Sequence, residues 1–562
     1  MHRPRLSLSS RNTLGAFALG AASLGLSALG TLVLPAPASA CGGFFCSNQP
    51  IDQSGENIVF SVEEDGAIEA HVQILYQGAA EQFAWILPTP SAPALSVGTD
   101  ALFRDLDQAT RPVFVTESET TGTCRPEPSC PYDWDTAGPP FAGGFADAGA
   151  AAPPDRGVDV VFRGNVGPYD AAVLTATDVN ALYDWLNEYD YQIPESARPE
   201  IDAYIATRSY FVALRLQKDR AVGEIQPIVL RYTNGEPCIP IRLTRIAAVD
   251  DMPIRAYFLA SQGMRSTNYT MLTPDVDDEP GLFLGSRSYE SVVTNAVDDA
   301  GGRAFVTDYL GSTPSVSLEL PDIADLATVT DARAFVQALR DRGFVGDSQL
   351  LALLQRFIPP PTPDEATSFY NCLVQSWCGG YEGYLAALLF QPADFVAALD
   401  AAIVAPRRNA QAIVERHPTL TRLYTTMSAA EMTEDPVFYP SDAARAVSNV
   451  HTARLITECS PEYFWFAAPQ RLVLPTGREV RAREGVVYPG DDDAYCADRG
   501  AGTFAPWTPI DTLRATASER ARQAVSAGGG GLCSASPRTG GAGGALAALA
   551  AVIVALVARR RR

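Results

Sequence analysis

The chain has 562 residues and carries 65 acidic against 43 basic side chains, which gives a formal net charge of −22 at pH 7. This acidity opposes contact with phosphate backbones and anionic lipid, so the composition argues against nucleic acid as a partner. Hydrophobic residues make up 47% of the chain, which is enough for more than one domain-sized core.

The first 40 residues have the features of a secretory signal peptide. Arginines precede an apolar stretch at 14–34, which closes on the small-x-small pattern Ala38-Ser39-Ala40. Cleavage after Ala40 makes Cys41 the first mature residue. Lipidation of Cys41 is the competing interpretation, although Ala38 stands where a lipoprotein signal usually has Leu, Val or Ile. Both interpretations predict export.

Ten cysteines in an exported chain indicate disulfides before metal sites. Proximity in sequence predicts four local pairs and leaves Cys238 over; if Cys41 is lipidated, Cys46 can pair with Cys238 instead. The spacing inside the pairs is not that of typical zinc ligands. The predicted pairs are Cys41 with Cys46, Cys124 with Cys130, Cys372 with Cys378, and Cys459 with Cys496.

Residues 41–320 are predicted to form one α+β body with an antiparallel or mixed sheet. Alternating apolar residues predict an antiparallel meander of three strands at 57–63, 68–76 and 82–87. Residues 131–157 are rich in Pro, Gly and Ala, so we expect a mobile loop there. Further strands are expected at 158–163, 171–174, 210–217, 225–232 and 239–248, and helices at 100–109, 179–189 and 289–300.

Four short motifs stand out in this body. They are Cys41-Gly42-Gly43-Phe44-Phe45-Cys46, Phe83-Ala84-Trp85-Ile86-Leu87-Pro88-Thr89-Pro90, Gly167-Pro168-Tyr169-Asp170, and Pro237-Cys238-Ile239-Pro240-Ile241-Arg242-Leu243. Together they resemble the DUF2330 family of bacterial exported proteins. The resemblance extends over roughly 41–310 and implies no activity, ligand or catalytic residue.

The second half of the chain begins with a predicted helical subdomain at 330–432. Thr330 and Asp347 are expected to cap its first two helices, and helical periodicity continues to Arg416. A strand-rich segment follows at 450–510, with strands expected at 454–457, 463–467 and 471–474. If these strands return to the first sheet, the helices form an insertion.

The sequence contains no signature of a known catalytic or metal site. His71, His417 and His451 are each alone in sequence, and no nucleophile elbow, Walker loop or HExxH pattern is present. Two acidic loops are weak calcium candidates, and solvated turns are the favoured interpretation of both. The calcium candidates are Asp275, Asp277, Asp278, Asp491, Asp492 and Asp493.

The C-terminal segment 527–562 is predicted to sort and anchor the protein. A glycine spacer leads to Cys533, and an apolar segment at 540–558 precedes four terminal arginines, which favour the cytoplasmic side. This segment resembles the MYXO-CTERM sorting signal of delta-proteobacterial surface proteins, except that Leu532 stands where that signal has glycine. A simple transmembrane anchor is the alternative.

These features predict an exported protein held at the envelope surface of a Gram-negative bacterium. The predicted role is non-enzymatic binding or structure, with a possible envelope or extracellular protein partner and no cofactor. Two alternatives stay open. One is a secreted hydrolase that uses carboxylates or a cryptic metal, and the other is a calcium-stabilised adhesion module.

Overall fold

A computed structural model describes residues 52–77, 84–126, 158–189, 191, 194–217, 225–273, 276–318, 320–374, 380–487 and 522–523. The strands are β1 (Asp52–Val62), β2 (Ile68–Gln77), β3 (Ala84–Thr89), β4 (Ala94–Val97), β5 (Val113–Thr121), β6 (Val158–Val166), β7 (Tyr169–Ala176), β8 (Tyr210–Leu216), β9 (Ile228–Tyr232), β10 (Met252–Ala260), β11 (Met264–Ser266), β12 (Thr270–Leu272), β13 (Ala304–Ser312), β14 (Thr419–Met427), β15 (Phe438–Pro440), β16 (Val450–Glu458), β17 (Gln470–Val473), β18 (Glu479–Arg483) and β19 (Arg522–Gln523). The helices are α1 (Asp100–Thr110), α2 (Val179–Glu188), α3 (Arg198–Ala206), α4 (Ile241–Thr244), α5 (Tyr289–Asp299), α6 (Ala332–Asp341), α7 (Ser348–Phe357), α8 (Ala366–Val374), α9 (Glu382–Ala387), α10 (Pro392–Leu399) and α11 (Ala405–Arg416).

The largest sheet runs in the order β19-β12-β13-β14-β10-β1-β2-β9-β4. Its central pair, β1 and β10, is parallel, whereas β1 with β2 and β10 with β14 are antiparallel. The predicted α+β class with a mixed sheet is therefore confirmed. We call this the main sheet.

One face of the main sheet packs against a second, antiparallel sheet in the order β3-β8-β7-β6. Phe60 of β1 and Phe258 of β10 point into this sandwich and stack with ring centroids 5.2 Å apart. Each is fully buried, and burying one such side chain stabilises the fold by roughly 2 to 3 kcal/mol. Helices α2 and α3 cover the outer face of the second sheet with Leu182, Trp185 and Tyr204.

The opposite face of the main sheet carries helices. Because side chains alternate along a strand, Val59 and Leu259 point away from the sandwich and contact α1 and α11. Helix α5 packs beside them through Val293 and Val297. The described body is thus layered as helices, second sheet, main sheet and helices, and the helix-covered face of the main sheet holds the candidate site.

Helices α6 to α10 have an apolar core of their own, in which Phe335 contacts Phe395 at 4.9 Å. The chain leaves the main sheet after β13, forms these helices, and returns to the sheet in β14. The two strands are antiparallel neighbours, with Ser312 opposite Thr419. The helices are therefore an insertion between adjacent strands of the main sheet.

The return point differs from the prediction. The predicted helical subdomain 330–432 contains β14, which lies at the centre of the main sheet with nearly every residue buried. The sequence of β14 is rich in threonine and leucine, and burial on both faces hides the alternation by which a half-buried strand is recognised. The later strands β16 to β18 do not rejoin the main sheet; they form a small sheet with β5.

A disulfide between Cys124 and Cys459 joins the ends of β5 and β16, across 335 residues of sequence. The predicted pairs Cys124 with Cys130 and Cys459 with Cys496 are therefore wrong. Cys238 is also disulfide-bonded, so it is not left over, and Cys372 is bonded as well. Proximity in sequence failed because the parallel pairing of β5 with β16 brings distant residues together. Residues 41, 46, 130, 378 and 496 lie outside the described residues.

Three predicted elements also differ. β3 pairs with β8 in the second sheet and does not complete the meander with β1 and β2. The strand expected at 239–248 is instead a turn that contains α4, and the strand expected at 463–467 contains a 3-10 turn at Trp465–Ala467. In both segments isolated turns bury apolar residues without a ladder partner. The predicted signal peptide 1–40, loop 131–157 and anchor 540–558 lie outside the described residues.

Candidate functional site

A cavity of about 660 Å³ opens on the helix-covered face of the main sheet, between α1 and α5. We call it the sheet-face cavity. Strands β1, β2, β10 and β14 form its floor, and the two helices form its walls. Its lining residues are Asn57, Gln73, Asp100, Phe103, Arg104, Asp107, Arg111, Pro112, Arg255, Tyr257, Ser288, Tyr289, Glu290, Arg422 and Tyr424.

The floor is a row of polar side chains that the strand register sets side by side. Gln73 lies opposite Asn57, Asn57 lies opposite Arg255, and Arg255 lies opposite Tyr424. In the next row on the same face, Tyr257 lies opposite Arg422. Neighbouring strands are about 4.8 Å apart, so these groups form a continuous polar surface.

Arg422 holds the floor to both walls. Its Nε contacts Asp308 Oδ2 at 3.0 Å, and its Nη2 contacts Asp107 Oδ1 of α1 at 2.9 Å. Tyr289 of α5 donates a hydrogen bond to the other oxygen of Asp308 at 2.6 Å. Asp308 occupies a bulge of β13, where Thr307 and Tyr309 oppose consecutive residues of β14. A bulge re-aims a side chain, which here accounts for a buried carboxyl facing Arg422.

This network is buried, and its electrostatics follow from that. Burial raises the pKa of Asp308, and the attraction of Arg422 opposes the increase. Burial also raises the pKa of Tyr289, whose hydroxyl therefore stays protonated. A buried ion pair adds little net stability, but removing one partner leaves an uncompensated charge. The network thus fixes the walls of the cavity, and its two carboxyl groups neutralise the charge of Arg422.

A second hydrogen-bonded chain crosses the floor toward α1. Asn57 Nδ2 donates to Gln73 Oε1 at 2.8 Å, and Gln73 Nε2 donates to Asp100 Oδ1 at 2.7 Å. Asp100 is the first residue of α1, behind the Thr99 cap. Burial raises the pKa of Asp100, against the hydrogen bond from Gln73. These bonds orient the amide of Asn57 so that its oxygen is left as an acceptor.

Two buried polar atoms of the floor have no hydrogen-bond partner in the described structure. They are Asn57 Oδ1 and the Tyr424 hydroxyl. An unpaired buried polar atom lowers the stability of the folded state by roughly 1 to 3 kcal/mol, so its presence needs an explanation. Tyr424 is only 2% exposed, and burial raises its pKa to about 12, so it presents a neutral hydroxyl.

Arg255 supplies an available positive charge beside these atoms. Its guanidinium lies 4.6 Å from the centroid of the Tyr424 ring. Among the described residues no carboxylate pairs with this guanidinium. Stacking on an aromatic face leaves the guanidinium N–H groups at its edge available for a bidentate acceptor. The sheet-face cavity therefore combines a fixed cation, an unpaired hydroxyl and an unpaired acceptor.

Two smaller cavities share lining residues with the sheet-face cavity. One of about 320 Å³ shares Gln73 and Asp100 with it, and one of about 150 Å³ shares Asp100 and Arg104. The latter reaches Asp347 and Gln349 of the helical insertion. The three cavities therefore follow one another around Asp100, from α5 to the insertion.

A separate cavity between the two sheets is much smaller, about 30 Å³, which is room for about one water molecule. The proline-rich motifs noted in the sequence meet there, since Pro88, Pro90, Cys238 and Pro240 line it together with Glu56. These motifs accordingly shape the packing between the sheets. They do not form the large cavity.

The predicted calcium candidates are only partly described. Asp275 and Asp491 to Asp493 lie outside the described residues, as does the side chain of Asp277. Asp278 forms an ion pair with Arg478 at 2.8 Å, which takes up its charge. Among the residues that the structure describes, no group of three or more His, Cys, Asp or Glu side chains is placed to hold a metal ion.

One serine–histidine contact that the sequence did not signal is present. Ser61 Oγ lies 2.7 Å from His417 Nε2 and donates its hydrogen to Glu63 at 2.8 Å. His417 Nε2 must then carry the proton of the contact, so it cannot act as the base toward Ser61. Ser61 is fully buried and, unlike the floor residues, lines none of the cavities described above, so its oxygen faces no space for a substrate. This contact is structural.

The cavity residues were not identified from the sequence. Four of them lie on strands β10 and β14, neither of which the periodicity revealed. A signal was present in both strands, since Arg255 and Tyr257, like Arg422 and Tyr424, stand two apart. An Arg-x-Tyr pair on one face of a buried strand is the pattern that a search for such a site would use.

The described helices include none with the length and apolar character needed to span a membrane.

Comparison with known proteins gives a family and no activity. Residues 35–408 match the sequence profile of a family described as an uncharacterized protein conserved in bacteria, DUF2330. No curated protein matches the chain. The crystal structure of baculovirus P35 is similar to this chain at 14% identity and a TM-score of 0.20; the match covers 38% of this chain and 65% of that one, less than two thirds of its length.

Proposed function

The chain belongs to the DUF2330 family of bacterial proteins, and from that premise we propose that it is an exported, surface-anchored binding protein whose ligand occupies the sheet-face cavity. The observation that carries the binding role is that two buried polar atoms without a hydrogen-bond partner, the Tyr424 hydroxyl and Asn57 Oδ1, lie on one floor beside the Arg255 guanidinium. A buried unpaired polar atom costs folding free energy, and a ligand that pairs with both atoms explains that cost.

The carboxylates of the cavity favour binding over hydrolysis. A glycoside hydrolase needs two carboxyl groups that face the substrate, one of them able to donate a proton. Asp107 and Asp308 instead both contact Arg422, and Asp308 also accepts a hydrogen bond from the Tyr289 hydroxyl. Asp100 is held by Gln73. These acids hold the walls in place. Glu290 is the one lining acid for which the described residues provide no hydrogen bond or ion pair, and a single free carboxyl group does not make the pair that hydrolysis needs.

The location rests on the two ends of the sequence. The leader ending at Ala40 supports export, and Cys533 with the apolar and arginine-rich segment after it supports MYXO-CTERM-like sorting to the outer surface of the envelope. The Cys124–Cys459 disulfide agrees with an oxidising environment.

The location is tested by adding a protease to intact cells that express the full chain. We expect the chain to be degraded in intact cells, and a variant without residues 540–562 to be released into the medium. Recovery of unprocessed chain from the cytosol, with its leader and reduced cysteines, would contradict export.

The binding role is tested with envelope material. The full chain, purified in detergent and immobilised, is expected to retain envelope components that Arg255→Gln retains at least about tenfold less, since hydrogen bonds to a charged group contribute about 1.5 to 3 kcal/mol. Arg454→Gln is the matched control, because Arg454 is an exposed strand arginine far from the cavity, paired with Glu119. If the wild type, Arg255→Gln and Arg454→Gln retained equal amounts of envelope material, the sheet-face cavity would not be the binding site.

A further inference from the structure

We infer that the ligand of the sheet-face cavity is a saccharide that carries a carboxylate group. The inference rests on the proposed binding function and specifies its ligand. It follows from three properties of the described lining: the kinds of unpaired atoms, the balance of charge, and the way that the cavities follow one another.

The groups on the floor need ligand partners of opposite kinds, one a hydrogen-bond donor and the other an acceptor. Asn57 Oδ1 accepts hydrogen bonds only, so its ligand partner must be a donor. Arg255 donates only, so its partner must be an acceptor, and its planar guanidinium matches a carboxylate in a bidentate arrangement. The Tyr424 hydroxyl takes either role. A molecule with both a carboxylate and hydroxyl groups satisfies all three atoms at once.

The charge balance selects a single negative charge. Four arginines and three carboxylates line the cavity. Arg422 already faces Asp308 in addition to the lining acid Asp107. Arg255 and the exposed Arg111 are the lining arginines to which, among the described residues, no acid is paired. With Asp308 included, the four lining arginines face four carboxyl groups, so the cavity has no net positive charge to offset a dianionic phosphate, whereas a single carboxylate is matched locally by Arg255.

One aromatic side chain of the lining is open to a sugar ring. Tyr289 is half-buried and lines the cavity, whereas Phe103 and Tyr257 are 4% and 1% exposed and Arg422 lies over the Tyr257 ring. Tyr289 offers apolar surface to the C–H side of a saccharide, while the polar row below meets its hydroxyls. Because the smaller cavities share Asp100 with the main one, a chain of several sugar units can continue from α5 toward the insertion.

The inference is tested by calorimetric titration of the detergent-purified full chain with four probes: D-glucuronate, D-glucose, D-glucose 6-phosphate and an aldotetraouronate, which has one carboxylate on a chain of four sugar units. We expect glucuronate to bind at least about tenfold more tightly than glucose, because the carboxylate pairs with Arg255. Glucose 6-phosphate should bind more weakly than glucuronate, and the aldotetraouronate more tightly.

Two variants separate specific recognition from general charge. Arg255→Gln should reduce glucuronate affinity at least about tenfold and change glucose affinity less than about twofold, whereas the control Arg454→Gln should change neither. Tyr424→Phe keeps the ring under Arg255 and removes only the hydroxyl, so it should weaken glucuronate and glucose alike.

Several results would overturn the inference. Equal affinity for glucuronate and glucose, tighter binding of the phosphate, no binding of any probe, or an unchanged affinity in Arg255→Gln each contradict an acidic saccharide. The proposed binding function survives these results if envelope material is still retained in a manner that depends on Arg255. If retention is also independent of Arg255, both fail.

Discussion

The two faces of the main sheet are built from the same strands and do opposite things. Residues 58 and 60 of β1 and 258 of β10 pack into an apolar sandwich, while Asn57 and Arg255 line the sheet-face cavity. Most side chains on the sandwich face are apolar, whereas the cavity face carries two buried polar atoms that have no hydrogen-bond partner in the described structure. Because side chains alternate along a strand, one strand contributes to the apolar core on one side and to the candidate site on the other.

The largest effect is expected on the sandwich face. Phe258→Ala removes a fully buried ring that stacks on Phe60, so it should destabilise the protein by about 3 to 5 kcal/mol. The measurement is urea unfolding followed by tryptophan fluorescence. Asn57→Ala, the comparison on the cavity face, should cost less than about 1.5 kcal/mol because it removes one hydrogen bond. Similar losses from both changes would refute the division of labour between the faces.

The next effect concerns a polar exception on the sandwich face. Glu56 is 2% exposed, and burial raises its pKa to about 7 from the ordinary 4.5, with Asp435 adding repulsion and Gln53 opposing the shift. The folded state then binds its proton more tightly than the unfolded state. The contribution of Glu56 to the free energy of unfolding is fully present below pH 4.5. It falls by about 3 kcal/mol as the pH rises through about 7, because the folded state then loses the proton that it binds more tightly.

The change that tests this is Glu56→Gln. Its unfolding free energy, measured from pH 5 to pH 8 beside that of the wild type, should lack the decline that Glu56 contributes. The difference between the two proteins is the quantity to follow, since other groups titrate in both. A constant difference over this range would show that the pKa of Glu56 is not raised.

The smallest effect compares two buried tyrosines. The Tyr269 hydroxyl donates to the Glu434 carbonyl at 2.6 Å, whereas the Tyr424 hydroxyl has no partner in the described structure. Tyr269→Phe should therefore lower the free energy of unfolding by about 1 kcal/mol, and Tyr424→Phe should raise it by about 1 kcal/mol. Thermal unfolding without added saccharide measures both. A loss in both variants would mean that the Tyr424 hydroxyl is satisfied in solution.

Local signals carried most of the correct predictions. Asp347 caps α7 as predicted, because an N-cap depends on the next three residues only, whereas α6 is capped by Asp331 and not by the predicted Thr330. The boundaries of α1 and α5 were also close to those predicted. Strand pairing was less predictable. β3 joined the second sheet and β14 returned to the main one, since the partner of a strand is set by packing across long separations.

The candidate site shows the same limit more sharply. Each of its residues is ordinary in its own segment, and only the register of four strands sets Gln73, Asn57, Arg255 and Tyr424 in one row. The motifs that identify the family, by contrast, are local and rich in proline, and they shape the packing around Glu56. A single sequence therefore reveals the family more readily than the binding surface.

The long disulfide also determines how the molecule bears mechanical load. In the proposed arrangement, with a ligand held at Arg255 and an anchor at the C-terminal end, tension would reach the cavity through Cys459. Two covalent arms would share that tension, one running back along β16 and the other crossing to Cys124. Neither arm can be drawn out alone, so the loop closed by the disulfide can lengthen only when both arms unfold together.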